Sequence, residues 1–429
     1  MGFIQALRGT RDILPEEIGY WQKVEAIAFS ILDKAAYQEI RPPIFERTEL
    51  FERGIGEATD VVGKEMYTFN DRATPPRSIT LRPEGTAGVL RAFIQNNLYA
   101  TSGVQRLWYA GPMFRYENPQ AGRQRQFHQL GVEVLGSSDP RADVEAIAIA
   151  TDILQALGLK DLQLNINSVG NTEDRPRYRQ ALVDYLTPYK DQLDPDSQDR
   201  LTRNPLRILD SKNEQTQKIV ADAPSILDYL STDSHAHFEK VQQRLSELGI
   251  SYQLNPRLVR GLDYYTYTAF EIQSDDLGAQ ATVCAGGRYD NLVAQLGGPQ
   301  TPGVGWGMGL ERLILLLQKR LEPPRPRLDF YLVSRGEIAE AQALVLSQKL
   351  RHVGFSVELD LSGSGFKAQF KRADRSGAVA CLVLGDTEAQ NQTVNLKWLK
   401  SGEQQAIAQT DLLGKTDELR QQCDALNKQ

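Results

Sequence analysis

Read as a β-strand, residues 126–136 send Phe127, Gln129, Gly131 and Glu133 to one face and His128, Leu130, Val132 and Val134 to the other. Gln129 and Glu133 flank a glycine, so two hydrogen-bonding side chains and a ring face a space that a small polar ligand could fill. A polar strand face turned to solvent would carry the same residues. The segment 106–117 reads as the hairpin partner of this strand, and the connecting NPQAGRQR holds Arg123 and Arg125, with Arg115 just before it. Guanidinium forks at three points of one hairpin suit phosphate oxygens. Any single arginine there could equally belong to a solvated basic loop.

GVGWGMGLER aligns Gly303, Gly305, Gly307 and Gly309 on one bare strand face, which a flat ring or a phosphate could approach, while Arg312 opens the next helix. The pattern is neither GxGxxG nor GxxxxGK[ST], so dinucleotide and P-loop chemistry are not supported. LRPEGTAGVLR places Glu84 and Thr86 in the first turn of a helix, where an acidic residue is favoured by the macrodipole alone. RGLDYYTYTAFE and AGGRYD add Arg260, Tyr264, Tyr265, Arg288 and Tyr289. The four histidines, His128, His235, His237 and His352, have no metal-binding spacing and read as structural or surface residues.

These groups need a frame. Pro15, Glu16 and Glu17 followed by Ile18, Trp21, Val24, Ile27 and Ile31 predict a helix that ends before Pro42. Alternating segments then run to about Asn167, interrupted by a helix capped by Asp139 with Pro140 at its first position. Few βαβ alternations occur, so an antiparallel sheet is expected. Residues 171–256 are polar and helix-favouring and read as an insertion. EPPRPR, from Glu322 to Arg327, punctuates the chain. Beyond it a βαβαβ pattern, a hairpin turned at Ser401–Gly402 and a final helix predict a small α/β domain. The domains expected are therefore 1–325, containing the insertion, and 327–429.

A chain of 429 residues suits two or three domains. With 41% hydrophobic and 24% charged residues it is neither disordered nor collagen-like. Three separated cysteines support neither a disulfide framework nor a zinc site. The absence of a long apolar run or a leader pattern predicts a soluble, cytoplasmic protein. A net charge of −6 means that any nucleic acid must be held by a local patch. One such patch is the helix bearing Lys367, Lys371, Arg372 and Arg375, in which Lys367, Lys371 and Arg375 recur every fourth residue.

Together GTRDILPEE, TLRPEGTAGVLRA, GPMFRYENPQAGRQRQFHQLGVEVLG, RGLDYYTYTAFE, AGGRYDNL, GVGWGMGLERL and LSGSGFKAQFKRADRSGA resemble the histidyl-tRNA synthetases, a class II aminoacyl-tRNA synthetase family, over almost the whole chain. The resemblance implies an α+β catalytic domain on a six-stranded antiparallel sheet, a helical insertion and a C-terminal α/β anticodon-binding domain. It implies ATP, magnesium, L-histidine and histidine tRNA as ligands, and a homodimer paired through roughly residues 42–70, with Ile44, Phe45 and Phe51 exposed. By the same resemblance, Arg115 meets the α-phosphate, Phe127 stacks on adenine, Arg123 and Arg312 hold the β- and γ-phosphates, and Glu117 belongs to the ATP site. Glu84, Thr86 and Gln129 take the α-amino group, and Glu133, Tyr265 and Tyr289 read the imidazole, with Tyr264 beside them. Arg260 stands by the reacting carboxylate. Lys367, Lys371, Arg372 and Arg375 would touch tRNA. Asn118 and Tyr267 depart from the family pattern, which often has arginine and glycine there.

Adenylate formation needs two anions aligned and the added charge of the transition state stabilised, and arginines and magnesium supply that. A site that hydrogen-bonds a ring rejects analogues lacking it by roughly 10⁴–10⁵, so no editing domain is needed. The competing reading is the non-catalytic regulatory subunit of ATP phosphoribosyltransferase, which shares the catalytic fold. Against it stand the retained Arg115, Arg260 and Arg312 and the complete C-terminal block. A class II synthetase for another amino acid is disfavoured by RGLDYYT and the Gln129, Glu133 pair.

Overall fold

Pro15 at the first helical position and Glu16 and Glu17 in the first turn start α1 (Pro15–Lys34), which buries Tyr20, Trp21, Val24, Ala28 and Leu32. Ile18, Ile27 and Ile31 lie at the edge of that face and are only partly buried. The computed structural model describes residues 2–56, 59–101, 103–323 and 327–427. Two compact units divide the chain, Met1–Pro324 and Arg325–Gln429. Residues 324–326 of the proline-rich punctuation, where the expected domain boundary falls, lie outside the described residues.

In the first unit the strands are β1 (Gln38–Glu39), β2 (Phe45–Arg47), β3 (Tyr67–Asn70), β4 (Ser78–Leu81), β5 (Gln105–Phe114), β6 (Gln126–Leu135), β7 (Gln163–Ser168), β8 (Gln253–Leu254), β9 (Thr266–Gln273), β10 (Thr282–Arg288) and β11 (Gly303–Gly309). Eight of them form one sheet in the order β1-β5-β6-β11-β10-β9-β7-β8. The six strands from β5 to β7 pair antiparallel throughout, as expected, and β1 and β8 add short parallel pairings at the edges. Two-residue strands carry too little alternation to be read from sequence. A separate three-stranded sheet runs β2-β4-β3.

The helices are α2 (Thr48–Ile55), α3 (Thr86–Gln95), α4 (Pro140–Ala156), α5 (Asp174–Leu186), α6 (Pro195–Arg203), α7 (Glu214–Val220), α8 (Thr232–Glu247), α9 (Leu292–Gln295) and α10 (Leu310–Gln318). Asp139 caps α4 by accepting the Arg141 N–H at 2.8 Å. One face of the large sheet, with Leu130, Val132, Val134, Val304, Trp306 and Met308, packs against α1, α4 and α10 as the main core. Burying that face leaves the other free to carry polar groups, because side chains alternate. Within the insertion, the segment from α5 to α7 builds its own small core from Tyr178, Leu182, Leu186, Leu201 and Ile208, whereas α8 packs on α4 and adds Phe238, Val241 and Leu245 to the main core. Phe51, expected to be exposed, is fully buried on α2 beside Ile55, Val61 and Ala87, whereas Ile44 and Phe45 are exposed. A helix rather than a strand places Phe51 inward.

The second unit holds β12 (Phe330–Arg335), β13 (Val357–Leu359), β14 (Ala380–Gly385), β15 (Thr393–Trp398) and β16 (Gln404–Ala408) in the order β13-β12-β14-β15-β16. The first three are parallel and connected by α11 (Glu337–His352) and α12 (Phe366–Ser376), and β15 and β16 form the expected hairpin. On α12, Lys367, Lys371 and Arg375 are exposed. Arg372 instead turns inward and forks onto the buried Asp360 at 2.8 and 3.1 Å. Among the described residues no helix is long and apolar enough to cross a membrane.

Candidate active site

The free face of the large sheet floors a cavity of about 440 Å³, lined by Glu84, Thr86, Arg115, Glu117, Arg123, Phe127, Gln129, Arg260, Tyr264, Tyr265, Tyr289 and Arg312. Twelve expected site residues, spread over more than two hundred positions of chain, thus meet in one place. Arg125 is not among them, since its guanidinium lies over the Tyr116 ring at 3.9 Å. Arg288 is fully buried as a strut, paired with Asp143 and Asp290 and donating to the carbonyl of Ser137 at 2.8 Å, and so fixes the backbone beside Tyr289. His128 is structural too, its Nδ1 being 2.9 Å from Glu311.

At one side of the cavity, the hairpin of β5 and β6 aims arginines inward. Arg115 donates Nε to the carbonyl of Pro83 at 2.8 Å and stands 5.4 Å from the Phe127 ring centroid. Arg123 pairs with Glu117 at 3.1 Å. Arg312 comes from α10 and donates to the carbonyl of Thr282 on β10. Burial first, and then the neighbouring Arg123, lower the Arg312 pKa, the mark of positive charges crowded where an anion would relieve them.

At the other side the groups are acidic and phenolic. Glu84 lies just ahead of α3 rather than inside its first turn, and its carboxylate accepts the N–H groups of Thr86 at 2.7 Å and Ala87 at 2.9 Å. It therefore caps the helix and lines the cavity together. Burial raises its pKa although those two N–H groups oppose the shift. Tyr264 stacks against Tyr265 at 4.6 Å and meets Tyr289 edge-on at 5.6 Å.

Glu133 departs from expectation. It is fully buried and does not reach the cavity surface, because Thr86 donates to it at 2.7 Å and the Tyr289 hydroxyl donates to its other oxygen. The glycines of β11 explain how it fits: a Cβ at Gly305 would collide with the Glu133 carboxylate, and one at Gly307 with the Gln129 amide. The bare face thus makes room for these side chains as well as for a ligand. Burial pushes the Glu133 carboxyl up to about 8, partly offset by the Tyr289 and Thr86 hydroxyls.

A pKa raised on folding means the folded chain holds this proton more tightly than the unfolded one. The stability gained is complete below about 4.3 and is lost as pH rises through about 8. Glu133→Gln, nearly isosteric and never ionised, removes the dependence. The melting temperature of the variant minus that of the parent should grow from pH 5 to pH 8 and level off above. A difference independent of pH would show that Glu133 does not carry that proton.

Three residues of the site carry no readable local signal. Glu271, on β9, takes the Arg260 guanidinium and accepts from Gln273 at 2.9 Å and Thr282 at 3.0 Å. A single carboxylate in an otherwise uncharged strand is its only trace in the sequence. Burial works against the charge of Arg260, but Glu271 and Tyr265 beside it outweigh that and raise its pKa. Glu65 also lines the cavity, and burial followed by the nearby Glu117 raises its pKa. Arg207 enters from the insertion and donates to the carbonyl of Gly261 at 3.0 Å. Tyr267 sits at φ +49°, a conformation that glycine adopts without strain, and its ring stacks on His237 at 4.9 Å. Asn118 is exposed.

The antiparallel sheet with its helices, together with the separate α/β unit, is the class II aminoacyl-tRNA synthetase architecture. A family model described as histidyl-tRNA synthetase matches residues 9–313, and one described as anticodon binding domain matches residues 329–419. The histidine–tRNA ligase of Gloeothece citriformis is 73% identical over 99% of this chain and 98% of its own. That of Synechocystis sp. is 71% identical over 98% of this chain and 94% of its own. The crystal structure of apo histidyl-tRNA synthetase from S. aureus superposes with a TM-score of 0.80 at 39% identity, covering 96% of this chain and 99% of that one. The chain belongs to the histidyl-tRNA synthetase family.

Proposed function

We propose that the protein is a histidine–tRNA ligase that joins L-histidine to ATP as histidyl-adenylate, releases pyrophosphate, and transfers the histidyl group to the 3′ end of histidine tRNA. The observation that carries this reading is one cavity lined jointly by Arg115, Arg123, Arg260 and Arg312 and by the Glu84 and tyrosine cluster. In it, Arg115 holds the α-phosphate, Phe127 stacks on adenine, Arg123 and Arg312 hold the outer phosphates, and Glu117, paired with Arg123, belongs to the ATP site. Glu84, Thr86 and Gln129 take the α-amino group. Tyr264, Tyr265 and Tyr289 contact the imidazole, and Glu133 acts through the Tyr289 hydroxyl that it orients. Arg260 faces the reacting carboxylate, where donors fixed in place stabilise charge as it develops.

Among the described residues no group of three or more histidine, cysteine or acidic side chains is arranged to hold a metal. In this reading magnesium enters with ATP, as charge neutralisation for the phosphates, and the carboxylates of Glu65, Glu117 and Glu271 line the same cavity. The regulatory-subunit reading is disfavoured because the 73% identical relative over 99% of the chain is named a ligase and the anticodon-binding match is present. The cytoplasm, where charged tRNA is consumed, is the compartment this activity implies. ATP–pyrophosphate exchange with each of the twenty amino acids tests the reading. Exchange with histidine alone is expected, and none with histidine would overturn it.

A homodimer paired through residues 42–70 belongs to the same proposal. Supporting it are the exposed Ile44, Phe45 and Phe69 on or beside the three-stranded sheet, an apolar set that a second copy would cover. Residues 57 and 58 of that segment lie outside the described residues. Sedimentation at micromolar concentration should give about twice 48.0 kDa, and a mass at the monomer value would exclude the dimer.

A further inference from the structure

Adjoining the main cavity, with Arg207, Arg260, Leu262 and Tyr265 in the shared wall, lies a second, smaller one between the insertion and the sheet, of about 30 Å³. Asn167, Arg207 and Arg260 all line it, and each brings one buried polar atom with no protein partner: Oδ1 of Asn167, Nε of Arg207 and Nε of Arg260. Nearly all buried polar atoms in folded proteins are hydrogen-bonded, so three orphans on one cavity call for a shared occupant.

Their chemistry defines it. Asn167 is 1% exposed, and its Nδ2 donates to the carbonyls of Pro256 at 3.2 Å and Leu258 at 3.0 Å. The amide is thereby fixed with Oδ1 as the acceptor. The occupant must therefore donate to one oxygen and accept from two guanidinium N–H groups. A carboxylate or other fully deprotonated anion cannot donate, a protonated oxyanion is too large for about 30 Å³, and a metal cation would face two positive charges. Water does both, and at about 10–15 Å³ per molecule the space admits two. Val169, Leu206 and Leu209 line the cavity beside the polar Arg175, which donates to the carbonyls of Asp263 at 2.9 Å and Tyr265 at 3.1 Å, and Asn204, which donates to the Asp263 carboxylate at 2.7 Å, so these polar neighbours already have protein partners.

We propose that two ordered waters in this cavity tie Arg260 to Asn167 and Arg207, making those two residues positioning residues for the reacting centre. Arg207 and Arg260 also line the main cavity, so the wall that the waters brace is the wall the substrates meet. Glu271 holds one terminal nitrogen of Arg260, and the waters hold its Nε, so the plane of the guanidinium is set from two sides. A guanidinium held at one point could still swing about that contact.

The inference rests on the reading of Arg260 as the group beside the reacting carboxylate, and the experiment separates the two. A crystal structure of the full chain at a resolution that shows waters should contain two, within hydrogen-bond distance of the three orphan atoms. Arg207→Lys keeps a cation near Asp60 and a donor for the Gly261 carbonyl but lacks Nε–H. It should lower kcat for histidine-dependent pyrophosphate exchange about tenfold, with KM for ATP and histidine within about twofold, since misplacing a reacting geometry by 1 Å can cost about 100-fold. Leu209→Phe, which displaces the waters and leaves the polar residues in place, should do the same and decides the matter if the lysine variant folds poorly. A dry cavity, or an unchanged kcat in a folded variant, would overturn the proposal. If the parent exchanges with histidine and Arg260→Ala does not, such a result leaves the proposed function standing.

Discussion

Replacing Arg260 by alanine is expected to lower kcat for adenylation by about 10²–10³-fold, the usual cost of removing one fixed donor from developing charge. The KM values for ATP and histidine should change far less, because the loss falls on an interaction made mainly in the transition state. Single-turnover measurement of adenylate formation checks this directly. The tertiary structure sharpens the expectation. Arg260 is half of an ion pair with Glu271, so its removal leaves an unpaired carboxylate lining the main cavity, where ATP is proposed to bind. Added repulsion toward ATP would appear as a modest rise in its KM. A variant with the parent's kcat would remove Arg260 from the reacting centre.

The second large effect concerns the division of labour between the two units. A chain ending at Pro323 should retain histidine-dependent pyrophosphate exchange within a few-fold, since every residue of the main cavity precedes that point. Charging of histidine tRNA should fall by about 10²-fold or more, because unpaired anticodon bases are read by stacking and hydrogen bonds that such a truncation deletes. Within the second unit, the exposed Lys367, Lys371 and Arg375 are suited to RNA phosphates, whereas Arg372 is committed to Asp360. Filter binding over a range of salt concentrations, with the full chain and the truncation compared, separates weaker tRNA binding from a damaged catalytic unit. A truncated chain that charged tRNA as well as the full one would show that residues 327–429 do not read the anticodon.

Much of this protein was set by local sequence. Proline and acidic residues placed the start of α1, Asp139 and Pro140 placed that of α4, and strict alternation in 126–136 sorted core from site on β6. These signals are readable because helix capping and strand alternation act over a few residues. Family resemblance supplied the order of the motifs and hence the six antiparallel strands. What only tertiary structure decided are the contacts between distant segments. Phe51 turned inward because α2 packs on α3, and Arg372, beside the basic face, is committed to Asp360, which lies buried. Glu133 withdrew behind Thr86 and Tyr289, which lie 47 and 156 positions away. Glu271 and Arg207 joined the site through partners on other elements. The free energy that places these groups comes from pairing and desolvation across the fold, and no short stretch of sequence contains both members of such a pair.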